Sequence, residues 1–417
     1  MLVLVTIHGI GFQQKPSDKP GAFDGYADLL HQHLEEQSAL AGGVLGDDPK
    51  RQGVRGPVYV QSVWPPETTN AEEGLKRLGS WADGRIASPA PPLAGDGARI
   101  AHVALVYSNL EETHGDAVAL ADVIALGLPS LTHYATIGGI VRAAFDDLWG
   151  LHGREAQPVQ GLTPRDEAAK HRGFISRLLH RGADSTKTPS TLHVVEDDVA
   201  AYVVRNEHRE RVRAFIREAL TRILFRDDVE GVIVNGHSNG TVMAFDLVAN
   251  LPPQLAPRVR ALITSGSPLR KYVDFMDWGT DARNFYWAPT GAPATGVPAA
   301  AAVAWPDGLH WWNNFVDNDD PVADPLQPPV EWKLGQPMPA GGGPGLFVVY
   351  PPEGGDAVHV PLTDIVVDNV HAPGVGGDLP AHNYWDNKGQ FCSKAAEILS
   401  FTVADPAMAT LSGVGAH

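Results

Sequence analysis

The chain has 417 residues, 43% of them hydrophobic and 19% charged, enough for a sizeable core in one large domain or two ordinary ones. Its formal net charge of −17 disfavours nucleic acid or an anionic membrane as a partner, because both need a basic face. The single cysteine, Cys392, rules out an intrachain disulfide framework, and no Cys/His cluster has zinc-ligand spacing.

The opening run M-L-V-L-V-T-I-H-G lacks the basic segment of a signal peptide and reads as a buried strand, Leu2 to Ile7, followed by a glycine turn. A helix is expected from about residue 23 to 40. Strands are expected at Val58–Val63, which alternates and is β-branched, and at Ile100–Tyr107, continuous and apolar as a buried parallel strand should be. The most apolar stretch, 117–128, is broken by Asp122, so no run reaches a membrane span. A cytoplasmic location is expected, with signal-independent export left open.

Residues 110–190 read as an inserted helical and loop region, a lid or pocket wall as readily as ordinary core. The clearest amphipathic helix runs from about Glu196 to Phe225, with Asp197 or Asp198 placed to cap it. Then come a strand at Gly231–Val234, a helix at Thr241–Leu251 stopped by two prolines, and a strand at Val259–Thr264. Residues 268–309 form a Trp/Pro/Gly-rich insertion; its tryptophans, with Trp311 and Trp312 beyond it, are candidates for lining a pocket. The strand-like W-W-N-N-F-V, a strand at Leu346–Tyr350 and a closing helix at Lys388–Leu399 complete the pattern. Such alternation argues for an α/β fold: one domain with a mainly parallel central sheet covered by helices on both faces. Cys392, at the start of the closing helix, is expected to be a buried structural thiol.

The segment G-V-I-V-N-G-H-S-N-G-T-V-M-A-F-D reads as strand, tight turn and helix, with Ser238 at the turn and Gly236 and Gly240 flanking it. That order is what a nucleophile elbow demands, whereas G-x-S-x-G alone is a weak signal. Asn239-Gly240-Thr241 also matches a glycosylation sequon, discounted here because the segment would be buried. A serine hydroxyl is a poor nucleophile at neutral pH, so an imidazole must take its proton and a carboxylate must orient the imidazole. Behind an elbow the acid comes first and the histidine second. Asp317, Asp319 and Asp320 are all in reach of the acid's place. With Asp324 they make four neighbouring carboxylates, but the spacing is not that of an EF-hand loop. Among the later histidines, His359 sits in a strand-like V-H-V and His417 is the last residue. His371 and His382 both lie in loop, and His382 directly precedes the closing helix. Two backbone N–H donors are expected for an oxyanion, from Asn239 after the nucleophile and from Ile10 in the early H-G-I-G turn. His8 precedes the nucleophile and is assigned a structural role.

H-G-I-G, G-H-S-N-G, G-S-P-L, the acid loop ending D-D-P-V and H-N-Y-W together resemble the lipase and esterase branch of the α/β-hydrolases, across residues 8–385 but not the insertions. The resemblance implies a triad of Ser238, Asp320 and His382, acting on a small-molecule or lipid ester without metal or organic cofactor. Many relatives carry Leu where this chain has Asn239, which bears on the acyl pocket rather than on the donating N–H. Hydrolysis of another acyl bond (amide, thioester or phospholipid), including a lipase-like toxin, is an alternative reading. A non-catalytic binding module is another, although such a scaffold would normally have lost a triad member.

Overall fold

A computed structural model describes residues 1–9, 27–51, 53–62, 74–107, 206–249, 251, 255–270, 311–320, 322–327, 348–349, 358–359, 362–375 and 380–404. The inserted segment 110–190, most of 268–309, Ile10 and His417 lie outside the described residues.

The described elements are, in chain order, β1 (Leu2–Ile7), α1 (Asp28–Glu35), β2 (Leu45–Gly46), β3 (Val58–Gln61), β4 (Trp81–Ala82), β5 (Arg85–Ile86) and β6 (Ile100–Val106). Then follow α2 (Asn206–Leu224), β7 (Gly231–His237), α3 (Asn239–Ala249), β8 (Val259–Ser265) and β9 (Trp311–Asp317). The last are β10 (Val348–Val349), β11 (Val358–His359), β12 (Thr363–Val367) and α4 (Ser393–Ala404). Eight strands form one sheet in the order β12-β9-β8-β7-β1-β6-β2, with β3 also on β6. Every pairing in it is parallel. β2 meets Ile100–Ala101 and β3 meets Val103–Val106, so two short strands in succession line the edge of β6 that β1 leaves open. β4 and β5 form a small hairpin, and β10 pairs antiparallel with β11 away from the main sheet.

Parallel strands covered on both faces are apolar over most of their length, and β1, β6, β7 and β8 are buried throughout. Alternate side chains go to opposite sides. Val3, Val5 and Ile7 join a core with Phe215 and Leu220 of α2 and Phe245 of α3. Leu2 and Leu4 join a second core with Leu30 and Leu34 of α1 and Ala396 and Leu399 of α4. Fully burying one such aliphatic side chain is worth about 1.5–3 kcal/mol, so these two layers hold the sheet.

Polar clamps reinforce the packing. Arg51 donates twice to the fully buried carboxylate of Asp28, at 2.6 and 2.8 Å, fastening α1 to the loop before β3. Arg213 of α2 pairs with Asp246 of α3 at 2.8 Å, both side chains buried. Trp312, proposed from sequence for a pocket wall, instead takes a core position against Phe245, its indole N–H donating to Thr264 at 3.0 Å.

Several boundaries differ from the sequence reading. α3 begins at Asn239 rather than Thr241, because the turn is completed by Ser238 alone. A π turn, Lys388–Cys392, precedes α4 and is capped by the Asn387 side chain, which accepts from the Gln390 N–H. Cys392 closes it, buried, with its thiol 3.3 Å from the Trp385 carbonyl. Edge strand β12 was not expected at all; Asp364 interrupts its apolar pattern and two of its five positions are exposed. Among the described residues, no helix is long and apolar enough to cross a membrane.

Candidate active site

Because all strands of the sheet run the same way, their C-terminal ends share one rim, the usual place for ligands in open α/β sheets. Four chain segments leave the sheet there: His8–Gly9 after β1, Ser238 after β7, Gly266 after β8 and the Asp317–Asp320 loop after β9. The register places Ile7 beside Gly236, His237 beside Ser265, and Ser265 beside Phe315.

Ser238 has φ 54°. Among the described residues, one other non-glycine residue is left-handed, Asp83, in the Asp83–Gly84 hairpin turn between β4 and β5 that calls for it. At Ser238 the conformation costs about 1–2 kcal/mol and turns the chain from β7 into α3 within one residue. Its N–H donates to Ser265 O at 2.9 Å, and Ser238 O accepts from the Thr241 N–H at 2.9 Å and the Thr241 hydroxyl at 2.7 Å. The flanking glycines answer to space. A Cβ on Gly236 would stand 2.7 Å from Gly240 O, and one on Gly240 would stand 2.4 Å from the carbonyl oxygens of Ile7 and His8. Gly9 lies equally close on the other side, since its Cβ would meet Ser238 Cβ at 2.4 Å. Gly9 is therefore packed directly against the serine.

His382 comes from the short turn Pro380–His382. Its Nδ1 lies 2.8 Å from Asp320 Oδ2, with the carboxylate fully buried and the ring slightly exposed. The same Oδ2 accepts from the Tyr384 hydroxyl at 2.9 Å, and Oδ1 accepts from the Val322 N–H at 2.9 Å. Burial alone would raise the Asp320 pKa; His382 and these donors outweigh it and hold it below the usual carboxylate range. Tyr384 also accepts from the Asp317 N–H at 2.9 Å, so its hydroxyl is fixed by both ends of the acid loop. The ring of His382 rests over Gly266, where φ is 61° and a Cβ would fall 2.6 Å from His382 Cε1.

The other candidates go elsewhere. Asp317 accepts from the backbone of Asp319 at 2.8 Å and of Asn369 at 2.6 Å, which shapes the loop, and burial raises its pKa. Asp319 is exposed. Asp324, buried, donates its N–H to Ser267 O at 2.8 Å. His371 is exposed and pairs with Asp368 at 2.9 Å, and His359 lies in β11, off the main sheet. His8 is buried and stacked on Tyr107 with ring centroids 4.0 Å apart, and burial lowers its pKa to about 4. Asn239 is the buried first residue of α3, at the helix's positive end.

Sequence reasoning passed over His237 and Tyr384. The His237 ring lies 4.7 Å from that of His382, and its Nε2–H donates to the His382 carbonyl at 2.9 Å. Burial first, then the neighbouring His382, lower its pKa to about 3 against the opposing pull of Asp320. A ring neutral at neutral pH thus anchors the backbone of His382. The only signal was adjacency, His237 beside the serine and Tyr384 two residues past the histidine.

A scan against protein-family models and searches of curated proteins and of solved structures found no match.

Proposed function

We propose that the protein is a serine hydrolase with a lipase- or esterase-like α/β-hydrolase scaffold, cleaving carboxylic esters through an acyl-enzyme intermediate. The observation that carries the reading is the left-handed Ser238 on a strand–turn–helix elbow, a strained backbone maintained at the mouth of the sheet. The buried Asp320–His382 pair supports it.

In this reading Ser238 Oγ attacks the acyl carbon while His382 Nε2 takes its proton. Asp320 holds His382 Nδ1–H, fixing the tautomer and stabilising the imidazolium as it forms. The backbone N–H groups of Asn239 and Ile10 hold the oxyanion, which the N-terminal end of α3 favours. His382 then protonates the leaving alcohol, and a water activated by the same ring releases the acid. His237 and Tyr384 are positioning residues, one for the histidine's backbone and one for the acid.

The test is turnover of a short p-nitrophenyl ester. Ser238→Ala should abolish it with the circular dichroism spectrum unchanged. Asp320→Asn should cost about 10⁴-fold in kcat, and Asp317→Asn far less. Full activity in Ser238→Ala would refute the assignment. An acyl-chain-length and headgroup panel then separates esterase from lipase.

A further inference from the structure

We propose that His31, Glu35 and Asp47 form a binding site for a divalent transition-metal ion of the zinc class. The site shares no residue with the Ser238 constellation and does not depend on that reading. The sequence spacing does not show it, because Asp47 lies well outside the helix that carries the other two residues and only the fold brings it to them.

His31 and Glu35 are four residues apart on α1 and so share one face. Asp47 follows β2, which runs beside β6. One ligand atom from each lies within 4.8 Å of the others. His31 Nε2 is 3.0 Å from Asp47 Oδ1 and 4.0 Å from Glu35 Oε2. The His31 side chain is fully buried and its Nε2 is turned toward Asp47, while the buried Oε2 of Glu35 makes no hydrogen bond. The three ligand atoms thus lie close enough to one another to share one ion. Ligands held at about 2.0–2.2 Å around a tetrahedral zinc ion stand about 3.3 Å apart. A small rotation of Glu35 closes the remaining gap.

The far side of the imidazole is already prepared. His31 Nδ1 lies 3.1 Å from His102 Nδ1, and His102 Nε2 lies 2.8 Å from Thr6 Oγ1. If His31 donates through Nδ1 and His102 through Nε2, the lone pair of His31 Nε2 faces the two carboxylates, which is how an outer partner orients a ligating histidine. Arg55 pairs with Glu35 through Oε1, leaving Oε2 to the site. Asp47 Oδ1 also accepts from the Gly56 N–H at 2.8 Å. Two carboxylates against one guanidinium leave a net negative charge, and Asp47, 40% exposed, opens the remaining coordination positions to water. Bound metal would clamp α1 to the segment after β2.

The experiment uses the full chain, stripped with chelator and titrated with Zn²⁺ by calorimetry, with Co²⁺ as a spectroscopic probe. Wild type should bind one Zn²⁺ and gain thermal stability, and Co²⁺ should show visible absorption of a four- or five-coordinate site. Asp47→Asn and Glu35→Gln, near-isosteric and chosen to keep the fold, should each weaken binding at least tenfold. His371→Ala, at the exposed His371–Asp368 pair, and Ser238→Ala should bind as wild type. Absence of saturable one-to-one binding, or an affinity unchanged in both carboxylate variants, would overturn the proposal.

Discussion

At the scale of single residues, Ser238 holds backbone strain at the rim of the sheet. Its left-handed backbone is imposed by the packing of Gly9, Gly236 and Gly240 around it, not by any preference of serine. An alanine there keeps the strain, whereas a glycine accepts the conformation freely. Ser238→Gly should therefore be more stable than Ser238→Ala by about 1 kcal/mol, after allowance for glycine's larger unfolded-state entropy. Urea denaturation midpoints of the two variants would check it; equal midpoints would mean that the strain is no larger than glycine's entropic cost. The serine was legible in the sequence because two glycines and a strand–helix switch bracket it. The residues alone left Asp317, Asp319 and Asp320 open in one loop, and the resemblance singled out Asp320. It took the fold to give Asp320 both His382 and Tyr384, and to give Asp317 only backbone donors.

At the scale of elements, the Arg213–Asp246 pair joins α2 to the helix that carries the elbow. Removing one partner of a buried pair strands the other charge and costs about 3–5 kcal/mol, whereas replacing both with apolar residues of similar volume is close to neutral. Asp246→Ala should thus be strongly destabilising, and Arg213→Met with Asp246→Leu should recover most of the loss, as read by thermal melting of single and double variants. A double variant no better than the single would show that the two charges serve other partners. The same scale explains what the sequence revealed of the fold. β1, β6, β7 and β8 were legible because strands buried on both faces are near-continuous apolar runs. β12 was not, because an edge strand with Asp364 turned to Asn314, Leu326 and Gln327 carries no such run. Leu346–Tyr350 reads as a strand from local composition, yet its described part belongs to a two-strand pair outside the main sheet. Local propensity does not say which sheet a strand joins.

At the scale of the whole molecule, buried neutral histidines set the acid limit of stability. His8 and His237 have folded-state pKa values of about 4 and about 3, below the ordinary 6.5. Between pH 6.5 and those values the unfolded chain binds protons that the folded chain does not, so stability falls as pH falls. Each unit is worth about 1.4 kcal/mol, and by pH 4 the two rings together cost several kcal/mol. Asp320 acts in a different window. Its lowered pKa stabilises the fold above the unfolded carboxylate value near 3.9 and is lost only below it. Unfolding free energies at pH 7, 6 and 5 should therefore decline steadily, and His237→Asn should flatten the decline. A flat profile over that range would contradict the burial of both rings.

The enclosed thiol of Cys392 gives the molecule a clock for its own openings. Burial pushes its pKa well up, so a thiol reagent finds almost no thiolate while the π turn is closed. Because it is the chain's single cysteine, every labelling event reports release of this one turn from Trp385 and α4. The labelling rate divided by that of an unfolded thiol is the fraction of time the C-terminal layer spends detached. Labelling as slow as global unfolding would make that layer part of the central cooperative unit, and much faster labelling would make it a separate one.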